Sequence, residues 1–155
     1  MPISNPPVSK AVTLVRKAVD EVVNNSDVLQ DDDELKFDIG ANEDWEAVFI
    51  LLNISVSDSP NMAVGFTVPG GATFYCYIIT MATGGTGFVM ANLPRAGIPH
   101  TIDAETTITL NAIIRIIVVN GATPGVVQLQ WAQGSATAED TTMKENSLLM
   151  AHKLQ

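Results

Sequence analysis

The apolar positions of this chain recur with a period of two over much of its length. The clearest case is residues 108–132, ITLNAIIRIIVVNGATPGVVQLQWA. Ile108, Leu110, Ala112, Ile114, Ile116 and Val118 fall on one side, and Thr107, Thr109, Asn111 and Arg115 on the other. Successive side chains of an extended chain point to opposite faces, so this alternation in a β-branched run predicts a half-buried strand. Asn120-Gly121 and Pro124-Gly125 supply turn chemistry. Beyond them Val127, Leu129 and Trp131 alternate with Gln128, Gln130 and Ala132. The stretch therefore predicts two long strands paired as a hairpin, with Trp131 in the core.

The same period predicts further strands at 35–39, 45–56, 62–68, 74–81, 88–93 and 147–152. In the second of these, Val48, Ile50, Leu52, Ile54 and Val56 share a face. Gly40-Ala41-Asn42, Ser57 to Asn61, Pro69-Gly70-Gly71 and Gly84 to Gly87 read as the turns between them, and residues 94–106 as a loop. Residues 8–23 are less determined. Val8, Val12, Val15, Val19 and Val22 recur at spacings of four and three, which fits an amphipathic helix or short coiled coil. Valine is a modest helix former, and the extended reading is preferred. Residues 1–10 contain three prolines and no periodicity, as an extended arm would. Frequent short strands between turn signals predict an all-β fold, an antiparallel, jelly-roll-like β-sandwich. Its expected organisation is an N-terminal extended arm over 1–17 and a sandwich domain over 18–155.

Composition adds constraints. A chain of 155 residues buries roughly 70% of its unfolded surface, enough to fold without disulfides. The single cysteine, Cys76, sits among apolar residues and reads as a buried, inert thiol. MPISNPPVSK has no apolar signal-peptide core, and no apolar run approaches the roughly 18 residues of a membrane span. A soluble protein with no membrane partner is expected. The net charge is −9, and residues 27–46 carry nine acids against Lys36 alone. That balance argues against a nucleic-acid partner, because phosphate must be neutralised by Lys and Arg. Residues 59–94 carry no charge at all. Such a stretch is either core or the charge-depleted centre of an interface. Phe74, Tyr75, Tyr77, Met81, Phe88 and Met90 are its candidate contact residues, joined by Val8, Val12, Leu14 and Val15 from the N-terminal stretch.

Candidate chemistry is sparse. Asp31-Asp32-Asp33-Glu34 lacks the alternating ligand loop and distal glutamate of a calcium site, and reads as a solvated acidic face. His100 and His152 stand apart from any other His or Cys at metal-ligand spacing. No G-x-S-x-G elbow or P-loop is present. Trp45, among acids at a strand start, is the aromatic with the best claim to a sugar-binding role. No enzyme activity, metal or cofactor is expected.

Leu29 to Phe37, Ala41-Asn42-Glu43, Phe66 to Ala72, Val127 to Gln133 and Asn146 to His152 together resemble a group of tailed-bacteriophage structural proteins that includes head decoration (cement) proteins and tail-associated proteins. The resemblance covers most of residues 20–153. It implies a β-sandwich with no catalytic residues, a homotrimer that contacts the major capsid protein, and a place on the outer surface of the virion's capsid. There it would stabilise the head against internal DNA pressure. A phage tail or fibre module and a carbohydrate-binding β-sandwich are the alternatives.

Overall fold

A computed structural model describes residues 11–56, 60–82, 88–93, 99–102 and 108–154. Twelve strands are present and no helix among the described residues: β1 (Val12–Arg16), β2 (Glu21–Val23), β3 (Gln30–Ile39), β4 (Asp44–Val56), β5 (Met62–Thr67), β6 (Thr73–Ala82), β7 (Phe88–Leu93), β8 (His100–Ile102), β9 (Ile108–Val119), β10 (Gly125–Gln133), β11 (Thr141–Met143) and β12 (Leu148–Lys153). The extended reading of the N-terminal valines holds. Val12–Arg16, within the segment expected as an arm, is an edge strand hydrogen-bonded to β12. Residues 1–10 lie outside the described residues.

The strands form two antiparallel sheets. The larger has eight strands in the order β1-β12-β4-β9-β6-β7, with β11 joining β4 to β2. The smaller has four in the order β3-β10-β5-β8. Together they make a β-sandwich with a single core between them. Phe49 of β4 meets Phe66 of β5 edge-on at 5.2 Å, Phe66 meets Phe74 of β6 at 5.5 Å, and Phe37 of β3 meets Trp45 of β4 at 5.5 Å. Such aromatic contacts add to the burial of the rings themselves. Trp131, Leu129 and Val127 are wholly enclosed, as their phase predicts.

The pairing of the opening stretch differs from its prediction. β9 and β10 do not form a hairpin. β9 lies between β4 and β6 in the larger sheet, and β10 lies between β3 and β5 in the smaller. The apolar faces of both strands still meet the same core, now from opposite sides. Neither Asn120 nor Gly121 adopts a positive φ. Instead the Asn120 amide donates to the carbonyls of Gly40 and Thr123, and its backbone N–H donates to that of Glu43. These bonds carry the chain across the sandwich where a tight turn would have folded it back. Positive φ occurs elsewhere, at Asn25, Asn42, Asn61 and Asn146, a residue type that tolerates it.

Burial assigns the two faces of β4. Its core face is Trp45, Ala47, Phe49 and Leu51, while Val48 and Ile50 face outward and are half-buried. A register shift between Leu51 and Ile54 marks a bulge, which interrupts the alternation. Trp45 is buried, and its indole N–H donates to Glu43 at 2.9 Å. It is a core residue, not a ligand platform.

Glu43 closes the β3–β4 turn. Lys153, Trp45 and the Gly40 N–H all donate to its carboxylate, at 2.8, 2.9 and 2.8 Å. The hydrogen bond from Lys153 leads these in holding its pKa down to about 2, against an ordinary value of 4.5. A depressed carboxyl stabilises the folded state fully above its unfolded pKa, and that stabilisation disappears as pH falls through the folded one. Urea midpoints measured against pH are expected to fall between about 4.5 and about 2. Glu43→Gln should flatten this limb of the curve. Parallel curves for the two proteins would refute the assignment.

Candidate interaction surface

The two outer faces of the sandwich differ sharply. On the smaller sheet β3 turns Asp31, Asp33, Lys36 and Asp38 to solvent, beside Gln128 and Gln130 of β10. On the larger sheet the outward positions are mostly apolar. Antiparallel register places directly opposite residues on one face, so rows can be read across the strands. One row runs Val12, His152, Glu46, Ile117, Tyr75. The next runs Leu14, Met150, Val48, Arg115, Tyr77, and the third Arg16, Leu148, Ile50, Ile113, Ile79. Val12 is 72% exposed, Leu14 69%, Tyr75 58% and Met150 40%. Exposed apolar side chains on β1, β12 and β6, continued by half-buried ones on β4 and β9 between them, are what a covered surface needs.

Three of the charged or titratable side chains on this face, Glu46, Arg115 and His152, group together, while Arg16 donates to the Asn146 side chain. Glu46 accepts from Arg115 and lies 3.2 Å from His152 Nε2. Tyr75, Tyr77, Arg115 and Ile117 border a shallow open depression of about 130 Å³. Ligand pockets are deeper and larger, roughly 300 Å³ or more. The depression is shallow relief on this face, and the depth for enclosing a small molecule is missing. Among the described residues no group of three or more His, Cys, Asp or Glu is arranged to hold a metal.

The sequence-predicted contact residues divide accordingly. Val12, Leu14, Tyr75 and Tyr77 stand on the outer face of the larger sheet. Val15 and Phe74 turn inward, Val15 packing against the core and Phe74 within it. Met81 pairs with Phe88, and Met90 with Ile79, in the β6–β7 ladder; their side chains, like Val8, lie outside the described residues. Cys76, between the two tyrosines in β6, is buried in the core. The β4, β9 and β12 members of the surface (Val48, Ile50, Ile113, Ile117 and Met150) were not singled out by sequence reasoning. Their signal was present as the second apolar phase of strands that are apolar on both sides.

A second constellation is also absent from the sequence reading. Lys17 follows β1 and is fully buried with Asp32, at 3.0 Å. Glu21 lies 2.7 Å and Glu34 3.9 Å from the same ammonium. Asp32 belongs to the acidic run expected to be solvated. A register irregularity between Gln128 and Gln130 accompanies the turning-in of this segment. Asp32 Oδ1 there accepts the backbone N–H groups of Glu34 and Leu35, at 3.0 and 2.8 Å.

Adjacent isoleucines of β9 test the assignment of faces. Ile114 is wholly buried and Ile113 faces outward. Ile113→Asp should cost about 1 kcal/mol or less in chemical denaturation of the dispersed protein. Ile114→Asp, which buries an unpaired charge, should cost more than about 4 kcal/mol or abolish folding. Equal losses would contradict the assignment. Comparison with protein-family models, with curated proteins and with solved structures finds no match to this chain.

Proposed function

We propose that this protein is a non-catalytic viral structural protein, a head decoration (cement) protein that binds the outside of a phage capsid as a homotrimer. The observation that carries the proposal is the asymmetry of the sandwich. One outer face is acidic and solvent-directed, and the other presents Val12, Leu14, Tyr75, Val48, Ile113 and Met150, with Glu46 paired to Arg115 and next to His152. Such a face binds protein by burial rather than by chemistry. Repeated over neighbouring sites on a shell, modest contacts add through avidity.

The strand orders support a jelly-roll reading. The path β1, β3, β4, β5 and again β8, β9, β10, β12 changes sheets at every step. The resulting orders, β1-β12-β4-β9 and β3-β10-β5-β8, are those of two interleaved Greek keys, with β6 and β7 added beside β9. This architecture is common among capsid and lectin domains. The resemblance of Leu29 to Phe37 and Val127 to Gln133 to phage structural proteins favours the capsid over the lectin. The burial of Trp45 and Trp131 takes both indoles out of sugar recognition.

Light scattering of the full chain is expected to give three times its 16.5 kDa, with Leu14→Asp and Tyr75→Asp reducing this mass without loss of secondary structure. Labelled antibody on purified particles should decorate the head shell. A monomer at all concentrations that leaves the shell unlabelled would refute the proposal, and label confined to the tail would replace it with the fibre reading.

A further inference from the structure

We infer that Lys17 and Asp32 are joined by an intramolecular isopeptide bond that the fold itself forms, with Glu21 as the proton carrier. The inference is independent of the capsid reading. It begins with a cost. Lys17 and Asp32 both have no exposed surface, and a buried ion pair seldom repays the desolvation of its two charges. Condensation to an amide removes both charges and leaves a neutral group that the same hydrogen bonds satisfy.

The geometry supplies each part of the reaction. Lys17 Nζ stands 3.0 Å from Asp32 Oδ2 and 2.7 Å from Glu21 Oε2. The other Asp32 oxygen, Oδ1, accepts N–H bonds from Glu34 and Leu35 at 3.0 and 2.8 Å. Donors at these distances stabilise an oxyanion as it develops on a carboxyl oxygen. The backbone around the nucleophile is fixed. Lys17 N–H donates to Ser147, the Lys17 carbonyl accepts from Asn146, and Ala18 N–H donates to the Glu34 carboxylate. Held reactants of this kind react at high effective concentration.

The reaction balances without any other reagent. Burial opposes the charge on Lys17, but hydrogen bonds to Glu21 and Asp32 outweigh it and raise the ammonium's pKa, so Lys17 rests protonated. The ammonium gives one proton to Asp32 Oδ2 across their hydrogen bond, which frees the amine lone pair beside a neutral carboxylic acid. Nζ moves from beside Oδ2 to above Cγ and attacks, and negative charge develops on Oδ1 against the two N–H donors. The N–Cγ bond forms, Glu21 takes a second proton from the now cationic nitrogen and passes it to the Oδ2 hydroxyl, and the Cγ–Oδ2 bond breaks as water departs. Glu21 ends as the carboxylate it began as. One ammonium and one carboxylate become one secondary amide and one water, with no change in oxidation state. The bond ties the end of β1, at the edge of the larger sheet, to β3 of the smaller one.

The test is the intact mass of the purified full chain, followed by peptide mapping. The mass is expected to fall below that of the processed sequence by one water, with the Lys17 and Asp32 peptides recovered as a single branched species. Lys17→Arg and Glu21→Gln should each show the full sequence mass. Asp32→Asn, whose side chain loses ammonia on attack, should show a deficit of one ammonia instead. A folded wild-type chain of full mass overturns the inference. So does a water deficit that persists in Lys17→Arg, because the loss then lies elsewhere.

Discussion

A strand that is apolar on both faces needs two coverings, and the described residues of this chain supply one. β4, β6 and β9 lie side by side in the larger sheet, and each presents Trp45, Phe49, Phe74, Ile78, Ile114 or Ile116 to the core. The smaller sheet covers that side. On the other side Val48, Ile50, Ile113 and Ile117 are only half-buried and Tyr75 is exposed. The same alternation that builds the core thus builds the surface behind it, and the two cannot be changed separately without turning the strand over.

Charge placement follows the same division. The chain carries a net −9, and β3 places three of its aspartates on the open side of the smaller sheet. On the larger sheet, Glu46 neutralises Arg115 and contacts His152. An apolar surface with few charges repels no particular partner, and covering it carries a desolvation cost at the Glu46–Arg115 pair. The acidic face does the opposite work, keeping copies apart on that side. Where the two sheets meet at their edges, Lys17 and Asp32 replace apolar packing by a polar fastening.

The strands of the core were legible because period two survives in a single sequence. Trp131 in phase with Val127 and Leu129 fixed a buried face, and the structure encloses all three. Which strands pair was not legible, because pairing depends on partners far along the chain. Asn120-Gly121 has the composition of a hairpin turn, yet the bonds from Asn120 to Gly40, Thr123 and Glu43 send β10 to the other sheet. The contact surface was half legible. Tyr75 and Tyr77 were recognisable from a charge-free context and Val12 and Leu14 from the N-terminal valine stretch, whereas Phe74 shares the first context and points inward. Lys17 was hidden, since a lone lysine among valines reads as an exposed position. Asp32 has the same identity as its exposed neighbours Asp31 and Asp33, and only the three-dimensional path of β3 distinguishes it.

The central claim is that the outer face of the larger sheet is covered when the protein works. Hydroxyl-radical footprinting of the assembled protein on its particle tests this most directly, since it reads the solvent access of individual side chains. Tyr75, Tyr77, Leu14 and Met150 should be protected, while Val28 and Val126, exposed away from that face, should remain reactive. If Tyr75 and Met150 are oxidised as readily as their exposures of 58% and 40% imply, the face is open in the assembly and the account is wrong.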